Sequence, residues 1–455
     1  MRFNFSSLFH KENIINKDVR TLEVWKNSIL MAIIKGFSLL LSFISVPILI
    51  NSLNTINYGI WITLTSIVGW LSFTDLGLGL GVRNKVGESI AKNNHSATKS
   101  YISSGYFSLL VITSILIFLT IAFTRFINWA KVLNAPITMI NELYILVTVV
   151  ISLFALHITL KLIESVLYAL QKPAIVSLIS FISQLFNVIV IYLMSKSKDE
   201  FSLVHYGIVL SLIPNIVLLV LTILLFSTKY KKYSPSLSFV KKKYIKNVTS
   251  KGGEFFLIQL TALALFQTNN IVIAQMVNPS AVTDFNIAYK YFSVLGMFFS
   301  TLTTPLWSAT TNAYYNHDIY WIEKNLKLLK KTYKVSAIIA ILMLAMSQAI
   351  YKLWLGDSLK VNWNISFLVC LYQILSLRTA IYCSFINGIG KIRLQFYFTL
   401  FEAILHIPLA ILLARYWGVV GVLISMCLMT AINNIWEPIQ LKKIINQTAE
   451  GIWGK

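Results

Sequence analysis

Charge is scarce in this chain of 455 residues: 12% are Asp, Glu, Lys or Arg, against 56% hydrophobic. A water-facing globule cannot cover that much apolar side chain, so the composition asks for lipid as solvent. Acids are scarcest, 17 against 39 Lys and Arg. A net charge of +22 would suggest nucleic acid in a soluble protein, but the lysines lie between apolar runs, and no nucleic-acid partner is expected. The three cysteines, Cys370, Cys383 and Cys427, lie inside apolar runs, an odd number without CxxC spacing. They offer neither a disulfide framework nor a metal site. His157, His205 and His406 have no acids or cysteines at metal-ligand spacing and read as packed or interfacial. No Walker phosphate loop, nucleophile elbow or large domain outside the apolar runs is present, so neither an enzyme nor ATP-driven chemistry is expected.

What is present is a series of apolar runs. Crossing an apolar layer of ~30 Å takes roughly 20 helical residues. Twelve runs qualify, approximately 27 to 51, 57 to 77, 101 to 124, 142 to 170, 174 to 195, 204 to 227, 253 to 277, 283 to 309, 333 to 355, 363 to 388, 394 to 415 and 417 to 437. The first follows 26 polar, basic residues and has no small-residue cleavage pattern, so it reads as a spanning helix and not a removed signal peptide.

With the N-terminus placed inside, alternate loops on that side, counting Lys161 and Lys334 with them, carry 29 of the 39 Lys and Arg. The opposite loops carry seven, Arg125, Lys131, Lys196, Lys198, Lys352, Lys360 and Arg415, and Lys35, Lys290 and Arg378 fall inside helices. That asymmetry supports twelve helices with both termini cytoplasmic. The richest loop, 228 to 252, holds eight lysines halfway along the chain. It predicts a linker that either rests on anionic headgroups or serves only as a topology signal. The expected organisation is a cytoplasmic segment 1–26, a six-helix bundle 27–227, the linker 228–252, a second bundle 253–440 and a tail 441–455. An internal repeat agrees with it. NSLNTINYG (51–59) aligns without a gap with NPSAVTDFN (278–286), and YALQKPAI (168–175) with NGIGKIRL (387–394). Six helices per half give parallel repeats related by an axis along the membrane normal.

Ionisable groups at membrane depth are costly and usually face the bundle interior or water. On helix 1, Ser28, Lys35, Ser38, Ser42 and Ser45 fall in one sector roughly 100° wide, and on helix 8 Asn286, Lys290, Ser293, Ser300 and Thr304 within about 80°. Helix 7 adds Gln259, Gln267 and Asn270, and helix 10 adds Gln373, Arg378 and Tyr382. Serine and amide residues also serve helix packing, and Lys290 is close enough to a helix end to snorkel. Among the acids, Glu402 lies within helix 11, and Asp75, Glu164, Glu254 and Glu437 near cytoplasmic ends. Glu402 is the best placed to carry a coupling proton or bind sodium, with Asp75 a second candidate; Glu402 equally suits neutralising Arg378. A cavity with fixed cations, hydroxyls and amides suits an anionic, hydroxylated substrate such as a phosphorylated sugar.

FTDLGLGLGVRNKVGESIAKNN (73–94), TTPLWSATTNAY (303–314) and the NGIGKIR turn, taken in order with the loop after helix 1, resemble the corresponding places of Wzx-type polysaccharide flippases over the whole chain. These belong to the multidrug, oligosaccharidyl-lipid and polysaccharide (MOP) exporter superfamily. The resemblance implies an all-α membrane protein of about 12 transmembrane helices in two six-helix bundles around a central cavity, working by alternating access in a bacterial inner membrane. It implies undecaprenyl-pyrophosphate-linked oligosaccharide as cargo, membrane lipids as surroundings, and polysaccharide polymerase and chain-length machinery as partners. Lys35 and Lys290 match the family's basic cavity residues by helix and depth, and Arg83 falls in the glycine-rich exit of helix 2. No cofactor is implied beyond coupling to H+ or Na+. The rivals are a multidrug exporter of the same superfamily, which predicts more acids than bases in the cavity, and a membrane-embedded glycan polymerase or ligase. The latter needs a sizeable outer loop, whereas the longest here is 125 to 141.

Overall fold

The computed structural model describes residues 19–71, 78–170, 172–198, 200–245, 267–356 and 360–454. Every regular element among them is helical. The first half holds α1 (Val19–Trp70), α2 (Leu78–Ala91), α3 (His95–Phe123), the short α4 (Trp129–Leu133), α5 (Ile140–Leu160), α6 (Leu162–Ala169), α7 (Pro173–Lys196) and α8 (Leu203–Ser227). The second holds α9 (267–276), α10 (Pro279–Tyr315), α11 (Ile319–Leu355), α12 (Trp363–Ile389), α13 (Arg393–Trp417) and α14 (Val419–Ile445).

Among the described residues, nine helical stretches are long and apolar enough to cross a membrane. With α10 they account for eleven of the twelve expected spans. One stretch, Ile33–Trp70, contains the first two spans. The seventh lies mostly at 253–266, outside the described residues. The eighth is α10, a complete helix whose polar face lowers its mean hydropathy. Large apolar side chains such as Phe118, Leu193, Ile223, Ile341 and Ile404 are exposed around the perimeter. An unbroken apolar exterior of this kind is a surface for acyl chains.

Several boundaries differ from the sequence expectation. The loop after helix 1 is a single non-helical residue, Asn54 (φ 64°, ψ 171°), whose Oδ1 accepts the Asn57 amide at 3.0 Å. It ends one helix and caps the next. The fourth span is broken at Lys161 between α5 and α6. The segment 125–141 is no open loop: Trp129 and Leu133 of α4 are buried. Helix α11 starts 14 residues before its expected span, capped by Asp318 Oδ1 on the Trp321 amide at 2.9 Å, and carries Lys324, Lys327, Lys330, Lys331 and Lys334. The described part of the lysine-rich linker is pinned to α3, since Ser103 and Ser104 hydroxyls accept the amides of Ser236 and Lys241 at 3.0 and 3.3 Å. Between α13 and α14 the turn is Gly418 alone (φ 57°), a conformation that suits a residue without Cβ.

Packing follows the division into halves. Within the first, α1 packs on α7, α5 on α3 and α8, and α2 on α3 and α6; within the second, α12 packs on α10, α11 and α14, and α13 on α14. Helices α1 and α10 join the halves. The buried core shows where. One cluster runs from Val46, Leu53, Tyr58 and Leu146 of the first half into Val282, Phe292 and Val422 of the second. A separate cluster, with Leu78, Val86, Ile102, Ile163 and Val217, belongs to the first half alone. The first half joins the shared core mainly through residues near the lysine-poor connections, such as Leu53, Leu133 and Leu203, whereas its separate cluster includes Val86 and Tyr233 near the lysine-rich end.

Candidate functional site

The halves meet at a seam. The two segments that match in sequence meet each other: Thr283 Oγ1 donates to the Thr55 carbonyl at 2.7 Å, and Gly59 lies so close to Pro279 that a Cβ built on it would stand 1.7 Å from the Pro279 oxygen. Only a residue without a side chain permits that approach. Further towards the lysine-poor end, Asn134 Nδ2 donates to the Ala274 carbonyl at 2.9 Å, and Gln275 Nε2 to the carbonyls of Lys131 and Val132. Deeper in the seam, Asn286 Nδ2 donates to Asn270 Oδ1 at 2.8 Å, and Asn270 Nδ2 to Ser66 Oγ at 2.9 Å. This amide relay ties α10 through α9 to α1.

Lys290 lies at the foot of that seam. It stands 11 residues into α10, ~16 Å along the helix at 1.5 Å per residue, which is near mid-depth of a bilayer. Its Nζ donates to the Ser42 carbonyl of α1 at 2.6 Å. The ion pairs among the described residues are Lys85 and Lys92 with Glu88, and no described carboxylate comes within 4.0 Å of Lys290. Partly buried, this ammonium is thus met by a neutral acceptor. Lys35 is exposed two turns away from Ser42 on the same face of α1, towards the lysine-rich end. The structure therefore brings Ser42, Asn286 and Lys290 together between α1 and α10, with Lys35 two turns further along α1. Gln267 adjoins them, its amide 2.8 Å from where a Cβ of Gly69 would be.

Other expected site residues lie elsewhere. Arg83 is exposed on α2 with its guanidinium 4.7 Å from the Tyr168 ring centre, at the lysine-rich end of the first half. Beside it Lys85 and Lys92 hold Glu88 at 2.7 and 2.8 Å, and their hydrogen bonds, with their charges, lower its carboxyl pKa to about 2. Arg378 is half-buried on α12, where its charge acts on Glu437 of α14 and Tyr333 of α11. Gln259 and Asp75 lie outside the described residues.

Glu402 belongs to a second site. It is 3% exposed on α13 and lines a cavity of about 240 Å³ with Tyr372, Ser376, Thr430 and Asn433. Its Oε1 has no hydrogen-bond partner among the described residues. On the same wall His406 Nε2 is 2.7 Å from Asn269 Oδ1 and its Nδ1 2.9 Å from Ser425 Oγ. His406 is a packed, hydrogen-bonded residue as expected. Sequence reasoning missed Ser66, Asn269, Asn433 and Trp354, whose indole donates to the Phe43 carbonyl across the seam at 2.9 Å. The spacing of such residues does not reveal a partner on another helix.

Residues 24–310 match the family model described as "Polysaccharide biosynthesis protein". A Yersinia pseudotuberculosis protein named for O-antigen export is 22% identical over 418 residues, covering 90% of this chain and 94% of that one. A Salmonella typhi protein named as an O-antigen transporter is 22% identical over 272 residues, 58% of this chain and 59% of its own length. Among solved structures, an inward-facing multidrug resistance MATE family transporter of the MOP superfamily superposes with a TM-score of 0.68 at 14% identity, over 92% of this chain and all of that one. A MOP superfamily transporter from Pyrococcus furiosus superposes at 0.65, also at 14% identity, over 93% and 96%. A family model matched across more than half the chain makes this protein a member of the polysaccharide biosynthesis protein family, a multi-pass membrane protein with the fold of MOP superfamily transporters.

Proposed function

We propose that the chain carries a polyprenyl-pyrophosphate-linked oligosaccharide from the inner to the outer leaflet by alternating access, for surface polysaccharide synthesis. The carrying observation is Lys290, a cation near mid-depth with a neutral partner and, among the described residues, no carboxylate within ion-pair distance. Such a group binds an anion. A phosphate oxygen is a stronger acceptor for an ammonium than a peptide carbonyl, because both partners are then charged.

With the lysine-rich end cytoplasmic, the seam closes the outer side and the strip from Lys35 to Lys290 faces inward. The pyrophosphate enters along that strip, the sugar hydroxyls meet Ser42, Asn286 and Gln267, and the polyprenyl tail stays in lipid. Arg83 and Arg378 supply positive potential on the approach from either half. Glu402 is the carboxyl that takes up the coupling proton or sodium ion, its free oxygen turned to a cavity of hydroxyls and amides. The names of the Yersinia and Salmonella relatives support a glycan cargo. A cationic-drug exporter would set acids along the strip, where two lysines stand.

Replacing Lys35 and Lys290 together with alanine abolishes surface polysaccharide in cells that depend on this protein, while its amount in the membrane stays unchanged. Normal surface polysaccharide from that variant would overturn the assignment.

A further inference from the structure

Proline 47 lies inside α1. It has no N–H, so the carbonyl four residues earlier, that of Phe43, loses its intrahelical donor, and the ring forces that turn open. An unpaired carbonyl at this depth requires a partner from elsewhere. The partner is Trp354 Nε1, at 2.9 Å, from the last turn of α11. The indole also packs on the Phe43 ring with centroids 4.8 Å apart. The adjacent carbonyl, Ser42, takes Lys290 Nζ at 2.6 Å beside the Ser45 hydroxyl at 2.8 Å. Two donors from two helices of the second half thus close on consecutive carbonyls of the first.

We infer that Lys290 and Trp354 form a latch on the turn opened by Pro47, and that the anionic group of the cargo releases it by drawing Lys290 off Ser42. The inference rests on the anionic cargo proposed above. Trp354 is a positioning residue: it holds α11 to α1 and so holds the Ser42 carbonyl where Lys290 reaches it. A neutral carbonyl keeps the ammonium only until a doubly charged group competes for it. When Lys290 turns to the cargo, Trp354 alone remains on this turn, and separating the halves becomes easier in the loaded state. A ligand shifts a conformational equilibrium only through such a difference between states.

The test is cross-linking of a Thr55→Cys/Thr283→Cys pair in a background with Cys370, Cys383 and Cys427 replaced by alanine, in native membranes. Its rate reports the closed seam. Trp354→Phe, which keeps the ring and removes the donor, should slow cross-linking about five- to tenfold, the equivalent of one hydrogen bond. Pro47→Ala restores an N–H that competes for the Phe43 carbonyl and should act in the same direction. Farnesyl pyrophosphate, a short probe with the same charged group, should slow cross-linking in the parent pair and have no further effect with Lys290→Gln. Wild-type rates in both Trp354→Phe and Pro47→Ala would overturn the latch. No response to farnesyl pyrophosphate would overturn its release by cargo while leaving the transport assignment standing. If the latch responds as described but the Lys35/Lys290 alanine variant exports normally, the cargo assignment falls instead.

Discussion

Gly59→Ala is the sharpest perturbation of the seam. The new Cβ would sit 1.7 Å from the Pro279 oxygen and 2.5 Å from its carbonyl carbon, where ordinary contact begins near 3.4 Å. Both atoms are backbone, so no side chain can swing aside. The start of α10 must retreat by roughly 1.7 Å, the shortfall from ordinary contact, which is more than bond-angle strain absorbs cheaply. Thr283, Asn286 and Lys290 ride on the same helix, and a shift of that size breaks hydrogen bonds of 2.6 to 2.8 Å. In the Thr55/Thr283 cysteine pair, which already lacks the Thr283 hydroxyl, the Asn286 and Lys290 bonds remain to be lost, and at ~1 kcal/mol each the closed state loses ~2 kcal/mol, roughly a 30-fold shift towards separated halves. The expected result is cross-linking at least tenfold slower, with unchanged helical circular dichroism because each half keeps its own packing. Cross-linking at the parent rate would refute the reasoning, since it would mean that Gly59 and Pro279 do not meet.

Three further outcomes follow from other parts of the molecule. Asn54 holds a backbone conformation nearly confined to glycine, so Asn54→Gly should be neutral or raise thermal stability in detergent by up to ~1 kcal/mol, whereas Asn54→Val should lower it by ~2 kcal/mol or more. Glu402→Gln keeps size and hydrogen bonding but removes the ionisable group; export should become insensitive to the ion gradient while the protein remains folded, as read by a gradient-clamp experiment in vesicles. Replacing both Ser103 and Ser104 with alanine removes the hydroxyls that pin the linker and should speed proteolysis near residues 236–245, with export unchanged.

Much of this architecture was legible in the sequence because lipid imposes a simple rule: each crossing needs about 20 apolar residues, and lysines gather on one side. The match of 51–59 with 278–286 went further than a count, since the matched segments are neighbours at the seam. Lys290 was legible as a costly charge at depth. Its partner was not, because the Ser42 carbonyl carries no side-chain signature. Pro47 did leave a signal, an orphaned carbonyl at Phe43, but nothing in the spacing points to Trp354, 311 residues away. The same limit separated Arg378 from Lys290: periodicity places each on a face of its own helix, while tertiary packing sets one beside Glu437 and the other against α1. The break at Asn54 was hidden for a different reason. An asparagine among polar residues reads as a loop, and only its backbone angles reduce that loop to one residue.

The central claim is that the strip between α1 and α10 carries a pyrophosphate-linked glycan across the bilayer. Its most direct test is purified protein in proteoliposomes loaded with a fluorescent short-chain polyprenyl-pyrophosphate oligosaccharide, with leaflet transfer followed by a membrane-impermeant quencher. Saturable transfer, reduced at least tenfold by Lys35→Ala/Lys290→Ala and competed by farnesyl pyrophosphate, is the predicted result. Transfer by the double variant at the wild-type rate would contradict the account.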